Sequence, residues 1–299
     1  MCCLFGIIDC QGNLSSFRKN LLLSALAAAA EERGTDATGI AYNTGNELCI
    51  YKRPEAGRSM AFQCPEDMGT AIIGHARLTT QGEASRNYNN HPFRGKVSGH
   101  EFALAHNGMI WNDKIIRESL GLPKSYIETD SFIAVQLLEK QESLSFESLK
   151  SMVEQLRGSF TFTVLDDQDN LYIVKGENPM CIYYYPKKGV YVYASTEQIL
   201  KTALKGFRMK GKKETLRLSE GEILKIDNKG QREWDYFEPY DDLYDYGCFY
   251  GYEYEDYYRE DLKAVAASLG HNPKKIDLLI QQGFTLEEIE EFLYEEEEW

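Results

Sequence analysis

The amino-acid sequence predicts an α+β fold in which two β-sheets lie face to face between layers of helices. Strand-like segments come first in the chain, helical segments follow, and strand-like segments then return. The later strand-like segments alternate with period two around short turns, which is typical of antiparallel sheets with hairpins. This grouped order favours two sheets between helical layers over an alternating parallel-sheet fold.

The first half of the chain opens with a strand and a helix. Residues 2–10 are apolar and end at the turn-like Gln11-Gly12-Asn13, which indicates a buried strand. A helix is predicted from Ser15 to Glu32, because a serine in a capping position precedes a run of leucines and alanines. Four strands are predicted next, at GIAYNT, LCIYKR, TAIIGHARL and EFALAHNGMI.

The second half contains helices and then an antiparallel sheet. Apolar residues spaced by three and four predict helices that pack one face on a sheet, at KIIRESLG, DSFIAVQLLEKQ and SFESLKSMVEQL. Period-two alternation predicts strands at SFTFTVLD, NLYIVKG, CIYYYPKKGVYVYAS and GEILKID. The main domain is therefore expected to cover residues 2–233.

The remaining residues differ in composition from the main domain. Residues 234–258 hold nine of the 20 tyrosines among aspartates and glutamates, and we interpret them as an acidic, tyrosine-rich linker. Residues 259–299 contain three short helical patterns, with Thr285 placed as an N-cap. Two interpretations stay open for this segment: a small helical module that binds a protein partner, and a solvated acidic extension that packs on the main domain.

Composition excludes some classes of function. The net charge of −14 argues against nucleic-acid binding, which needs a cationic surface. No window approaches the roughly 18 apolar residues of a membrane span, and the N-terminus lacks a signal-peptide pattern. The seven cysteines form no C-x-x-C pair, which favours reduced thiols. We therefore expect a soluble, cytoplasmic protein that binds neither nucleic acid nor membrane.

Cys2 is a candidate nucleophile. Removal of Met1 would place a thiol and a free α-amine on one residue, and an α-amine titrates near pH ~8, so it can accept the thiol proton without a histidine. Position alone is weak support, because Cys2 and Cys3 could equally be small apolar residues of a first strand. Other motifs have to decide between the two interpretations.

Five ordered segments supply those motifs. They are MCCLFGI at the start, RGTDATGIA (33–41), GHARLTTQGEASRNYNNHP (74–92), the turn HNGMI (106–110) and ETD (128–130). In order and spacing they resemble the class II, or N-terminal-nucleophile, glutamine amidotransferases, and the resemblance continues more weakly to residue 233. It implies a four-layer αββα sandwich, to which residues 259–299 add a small α-helical C-terminal appendage, and it implies no metal or organic cofactor.

The resemblance also implies roles for individual residues. Cys2 matches the cysteine that attacks the side-chain amide of glutamine to give a thioester and ammonia. Asn107 and Gly108 match the pair that forms the oxyanion hole, although Asn-Gly in isolation is also a strong hairpin signal. The residues that match glutamine-binding positions are Arg77, Thr80, Gly82 and Asp130, together with Arg33, which matches the arginine at the cysteine end of the site but could also be a structural ion-pair residue.

Three alternatives for function remain at this point. The chain could hydrolyse glutamine and pass ammonia to a separate synthase partner, or it could be a stand-alone hydrolase of glutamine or γ-glutamyl amides. It could also be a regulatory or binding protein that kept the fold. His75, His91 and His106 are interpreted as packing or loop-orienting residues, since an α-amine would serve as the base.

Overall fold

The structure of the chain is a computed structural model. The structure describes residues 2–45, 47–207, 209, 211–239, 259, 262–267 and 269–294. By contacts, these residues form two compact units: one up to Leu78 and from Glu83 to Pro239, and one made of Thr79–Gly82 with the residues after 239. The first unit contains all the strands that the structure describes.

Thirteen strands lie in the described part of the chain and build two antiparallel sheets. Sheet A has the order β11-β9-β10-β1-β4-β2-β3, and sheet B has the order β13-β12-β8-β7-β6-β5. The strands are β1 Cys3–Asp9, β2 Ala37–Thr44, β3 Glu47–Arg53, β4 Met68–Arg77, β5 Phe93–Val97, β6 His100–Ile110, β7 Gly158–Asp166, β8 Leu171–Lys175, β9 Cys181–Tyr185, β10 Val190–Ala194, β11 Glu214–Arg217, β12 Glu222–Ile226 and β13 Arg232–Tyr236.

Helices cover the outer faces of both sheets. The helices of the first unit are α1 Ser16–Ala30, α2 Asp113–Ser119, α3 Phe132–Glu139, α4 Phe146–Val153 and α5 Glu197–Leu204, and short 3-10 turns lie at Gly57–Ser59 and Asn87–Asn89. One apolar cluster joins α1 and α5 to sheet A, a second joins α3 and α4 to sheet B, and a third fills the space between the sheets. The predicted four-layer αββα arrangement is confirmed.

Burial on both faces explains why several strands do not alternate in sequence. Every residue of β1 is buried, because Phe5 and Ile7 face the cluster under α1 while Leu4 and Ile8 face sheet B. A strand covered on both sides gains from apolar residues at every position. The predicted helix after it begins as expected, since the Ser15 side chain accepts a hydrogen bond from the Arg18 N–H.

Sequence reasoning did not predict four elements of the first unit. Strands β11 and β13 are edge strands with mostly exposed side chains, so they carry little apolar signal. Strand β5 is short and alternates buried with exposed residues, as in Phe93 and Arg94, and it follows the polar motif that ends at residue 92. Helix α5 follows β10 after Thr196, whose hydroxyl accepts from the Ile199 N–H.

The segment HNGMI is not a turn. It forms the end of β6 and pairs residue by residue with β7, so that Asn107 lies opposite Thr161 and Gly108 opposite Phe160. Gly108 has a φ of +139°, and a Cβ at this position would lie 2.0 Å from the Ser159 carbonyl oxygen. The strand can therefore run close to β7 here because the residue is glycine.

The C-terminal segment contains helices where the sequence predicts them, at residues 262–267, Lys274–Gln281 and Leu286–Tyr294. The Thr285 hydroxyl accepts from the Glu288 N–H, and the Glu288 carboxylate accepts from the Thr285 N–H, as expected of an N-cap. Most of the predicted linker, residues 240–258, and the final EEEEW lie outside the described residues. Within the described ranges, no helix is long and apolar enough to cross a bilayer.

Candidate active site

Cys2 lies immediately before β1, next to the end of β4. The register of this strand pair places Cys3 opposite Ala76, so Cys2 comes beside Arg77. The Cys2 thiol donates to the Leu78 carbonyl at 3.4 Å, and the Arg33 Nε–H donates to the Cys2 carbonyl at 2.9 Å. Desolvation raises the pKa of the Cys2 thiol, while the Leu78 contact and the Arg77 charge oppose that change.

Asn107 presents a buried side-chain amide that has no hydrogen-bond partner in the described part of the chain. Its side chain is fully buried on the face of β6 that points between the sheets, and neither Nδ2 nor Oδ1 bonds to any described residue. A buried amide without a partner costs about 1–3 kcal/mol, so such groups are rare in folded proteins. The adjacent Gly108 has the φ of +139° described above. An amide N–H₂ beside a glycine N–H is a suitable pair of donors for an oxyanion.

Arg77 and Asp130 are buried groups of opposite charge, and both act electrostatically on Cys2. Arg77 is the last residue of β4, and its Nη1 donates to the Asn90 side-chain oxygen at 2.7 Å. The Asp130 Oδ2 accepts from the Ile110 N–H at 2.6 Å. Burial lowers the pKa of Arg77 and raises that of Asp130. The charge of each residue acts on the pKa of the other in the opposite direction to burial. A guanidinium and a carboxylate so placed suit the two ends of an amino acid.

The three histidines near these residues are buried and neutral. Burial lowers the pKa of His75 and of His106 to about 3, and that of His91 well below its ordinary value. The His75 Nε2–H donates to the His106 carbonyl at 2.8 Å, and the His91 ring lies 4.2 Å from that of His75 between ring centroids. This packing agrees with the interpretation that none of them acts as the acid or base.

Thr80 and Gly82 are grouped differently from the other predicted site residues. Cys2, Arg33, Arg77, Asn107, Gly108 and Asp130 belong to the first unit, whereas Thr80 and Gly82 belong to the loop that clusters with the second. Gly82 has a φ of +75°, which favours glycine. The role of this loop in binding glutamine stays a prediction.

Sequence reasoning missed three residues that support the site. Asn90 accepts from Arg77 and donates from its Nδ2 to the Ala84 carbonyl at 2.8 Å. The Ser131 hydroxyl donates to Asp130 at 3.2 Å, and its oxygen lies 2.8 Å from His106 Nδ1. Asn178 has its Nδ2 against Gly108 and without a partner among the described residues. Of the three, only Asn90 had a signal in the sequence, because it belongs to the polar cluster NYNNHP within a quoted motif.

Comparisons with known proteins agree with this geometry. Residues 75–202 match the model of a glutamine amidotransferase domain. The chain is 33% identical over 204 residues to a glutamine–fructose-6-phosphate aminotransferase of Halalkalibacterium halodurans, covering 65% of this chain and 32% of that protein. It is 31% identical over 219 residues to an amidophosphoribosyltransferase of Methanothermobacter thermautotrophicus, covering 69% and 43%. The chain thus spans less than half the length of either relative.

A solved structure shows the same fold. The glutamine phosphoribosylpyrophosphate amidotransferase from B. subtilis matches 79% of this chain and 49% of its own, with a TM-score of 0.63 and 19% identity. At 19% identity, this similarity supports the fold alone. The family match and the sequence relatives support the assignment as a glutamine amidotransferase domain. The chain therefore carries a match to a glutamine amidotransferase domain at residues 75–202, and it is similar to glutamine amidotransferases of class II, the N-terminal-nucleophile type.

Proposed function

We propose that this chain hydrolyses glutamine to glutamate and ammonia through a thioester on Cys2. The observation that carries the proposal is the buried Asn107 amide without a described partner, beside Gly108, in the unit that also holds Cys2, Arg77 and Asp130. An unpartnered donor costs folding free energy, and an oxyanion that forms during a reaction would supply its partner.

The proposed reaction uses the chain's own groups. After Met1 is removed, the α-amine of Cys2 takes the thiol proton, and the thiolate sulfur attacks the side-chain carbonyl carbon of glutamine. The oxyanion accepts hydrogen bonds from the Asn107 Nδ2–H and the Gly108 N–H. The C–N bond then breaks as the protonated α-amine of Cys2 gives its proton to the leaving nitrogen, and ammonia departs. Water attacks the thioester, which releases glutamate and restores the thiol.

Charged side chains of the site bind the α-carboxylate and the α-ammonium of glutamine. We assign the α-carboxylate to Arg77 and the α-ammonium to Asp130, with Arg33 holding the main chain of Cys2. The Arg33 hydrogen bond to the Cys2 carbonyl and the opposite charges of Arg77 and Asp130 support these assignments. We further propose that ammonia passes to an acceptor-bearing partner protein.

The C-terminal helices are our candidate for contact with a protein partner. Leu278 is 55% exposed, Phe292 is 41% exposed and Phe284 is 36% exposed. Phe284 and Phe292 also meet edge to face, with 5.5 Å between ring centroids. Apolar side chains exposed this close together favour an interaction module over a solvated extension.

The test combines processing and chemistry on untagged, full-length protein. We expect intact mass to show loss of Met1, a glutamine-like electrophile to add once and at Cys2, and glutamate to be released from glutamine. Cys2→Ala should abolish both adduct and release, whereas the matched control Cys10→Ala, at another partly exposed thiol, should keep them. An N-terminally extended protein should be inactive, because its α-amine is no longer on Cys2. Release of glutamate by that extended protein would refute the mechanism.

A further inference from the structure

Asn178 carries a buried hydrogen-bond donor that the proposed reaction does not use. The residue lies in the loop that follows β8, residues 176–180, and belongs to the first unit. It is 7% exposed, and its Nδ2 has no partner among the described residues. A buried N–H₂ group without a partner carries a desolvation cost, so its presence in a folded protein needs a physical reason.

Hydrogen bonds to β7 fix the loop that carries Asn178. The Thr161 hydroxyl donates to the Asn178 carbonyl at 2.7 Å, and the Phe160 N–H donates to the Glu177 carboxylate at 3.2 Å. Gly176 lies so close to β7 that a Cβ at this position would be 2.3 Å from the Phe160 carbonyl oxygen. The main chain of Asn178 is therefore held in place without its own side chain.

The register of β6 on β7 brings this loop next to the proposed oxyanion hole. Thr161 is the residue that pairs with Asn107. Side chains of directly opposed residues leave the same face of a sheet, with their Cβ atoms about 4.5–5.5 Å apart. The hydroxyl that holds the Asn178 carbonyl therefore belongs to the side chain that directly opposes Asn107.

The Asn178 side chain also approaches Gly108, the second residue of the proposed oxyanion hole. Its Nδ2 lies 2.7 Å from the position that a Cβ of Gly108 would occupy. This approach is possible because Gly108 has no side chain. Asn178 is thus placed beside Asn107 by its main chain and beside Gly108 by its amide.

The unpartnered amide atoms of Asn107 and Asn178 complement one another. Among the described residues, the Nδ2 and the Oδ1 of Asn107 and the Nδ2 of Asn178 all lack partners. Two of these atoms are donors and one is an acceptor. When the Asn178 donor pairs with the Asn107 acceptor, the Asn107 Nδ2 is the donor that remains. An oxyanion requires this donor, and a carbonyl oxygen in its place would repel the negative charge.

We propose that Asn178 is a positioning residue that determines which end of the Asn107 amide faces the substrate. Once glutamine is bound, the Asn178 Nδ2–H donates to the Asn107 Oδ1, and the Asn107 Nδ2 is directed at the substrate oxygen. Linked hydrogen bonds strengthen one another, so charge that develops on the substrate oxygen favours this bond. The inference rests on the proposed role of Asn107 in hydrolysis.

Steady-state kinetics on the full chain test the role of the donor. Asn178→Leu removes the donor and keeps the main-chain bond to Thr161, whereas Asn178→Asp keeps the shape and replaces the donor with an acceptor. We expect kcat for glutamate release to fall about tenfold in the leucine variant and further in the aspartate variant, with the KM for glutamine changed less than about twofold. The leucine variant keeps the test valid where a buried carboxylate prevents folding.

The matched control is Thr163→Val. Thr163 is also buried and polar and lies on the same strand as Thr161, but it pairs with Ala105, so both kinetic constants should stay unchanged. A kcat in Asn178→Leu equal to that of the wild type would overturn the proposal.

A double-mutant cycle separates positioning from a purely structural role. Because Asn178 acts through the Asn107 amide, Asn178→Leu should lower kcat in the wild type and should not lower it further in the Asn107→Leu background. A further fall of the same size in that background would show that the two residues act independently, and would overturn the proposal.

A crystal structure of the protein alkylated at Cys2 by a glutamine-like electrophile tests the contact without turnover. We expect the Asn178 Nδ2 to lie within about 3.2 Å of the Asn107 Oδ1. An Asn178 Nδ2 bonded to another group, in a protein that hydrolyses glutamine, would overturn the positioning role alone. The expected contact in a protein that releases no glutamate would refute the proposed hydrolysis alone.

Discussion

At the scale of single residues, the side chains of the candidate site differ in their hydrogen bonding. Asp130 and Arg77 have partners, whereas Asn107 has none among the described residues. Asp130 accepts from Ile110 and Ser131, and Arg77 donates to Asn90. The fully buried Asn107 side chain has no such bonds to described residues. This contrast predicts that Asn107 contributes to catalysis at the expense of stability.

Replacing Asn107 tests this contrast. Asn107→Leu keeps the branched shape and removes both unpartnered atoms, so we expect kcat for glutamate release to fall by about 100-fold or more while the thermal midpoint does not decrease. The matched control is Asn112→Leu, because the Asn112 side chain bonds to the Gln155 carbonyl and the Arg157 N–H. That variant should lose about 2–3 kcal/mol of stability. A destabilised Asn107→Leu with normal kcat would contradict the assignment.

Ser131 is a positioning residue for Asp130. Its hydroxyl donates to Asp130 while its oxygen lies 2.8 Å from His106 Nδ1, and it forms no capping hydrogen bond to α3. Ser131→Ala should therefore raise the KM for glutamine about tenfold, because the carboxylate that we assign to the ammonium loses a donor that orients it, and should change kcat less. Steady-state kinetics give both values, and an unchanged KM would rule out this role.

At the scale of elements, β6 carries the central part of the site because both of its neighbours hold it in register. It pairs with β5 from Val97 to Phe93 and with β7 along Phe102–Ile110. The close approach to β7 at Gly108 depends on the missing side chain, because a Cβ added there would lie only 2.0 Å from the Ser159 oxygen. Asn107 thus depends on its neighbour for its position.

Gly99 and Gly108 distinguish the cost of backbone strain from the cost of a steric collision. Gly99, in the turn between these strands, has a φ of +93° and no atom within 4 Å of an added Cβ, so Gly99→Ala should cost about 1–2 kcal/mol from backbone strain alone. Gly108→Ala adds a collision with the backbone of β7, so it should cost more and should also reduce glutamate release. Urea unfolding measures both costs, and equal values would contradict the close approach.

At the scale of the whole molecule, three buried histidines make stability depend on pH. In the folded protein the pKa of His75 and of His106 is about 3 and that of His91 is also strongly lowered, whereas an unfolded histidine titrates near pH ~6.5. Below that pH the unfolded state binds protons that the folded state excludes. Stability is therefore full above pH ~6.5 and falls as pH decreases towards about 3.

The expected slope is about 1.4 kcal/mol per pH unit for each histidine, or about 4 kcal/mol per pH unit for three. Asp130 and Asp166, whose pKa values burial raises, oppose this trend in acid. His91→Phe removes one titrating group, and no hydrogen bond to a described residue is lost, so stability at neutral pH should hold. Urea midpoints between about pH 7 and pH 5 give the slope. The same slope in wild type and variant would contradict this account.

The sequence by itself determined the layers of the fold and the identity of the candidate catalytic groups. Apolar periodicity placed the buried strands and the helices of the core, because burial on one or two faces fixes which positions must be apolar. The edge strands β11 and β13 gave no such signal, since their side chains are mostly exposed. The ordered motifs identified four candidate site residues, each in a separate segment: Cys2, Arg77, Asn107 and Asp130.

Only the tertiary structure decided how those groups meet and what supports them. The register of β1 on β4 sets Cys2 beside Arg77, and the Ile110 N–H at the end of β6 holds Asp130. The supporting residues Asn90 and Ser131 act through contacts between loops far apart in the chain, so local composition could not identify them.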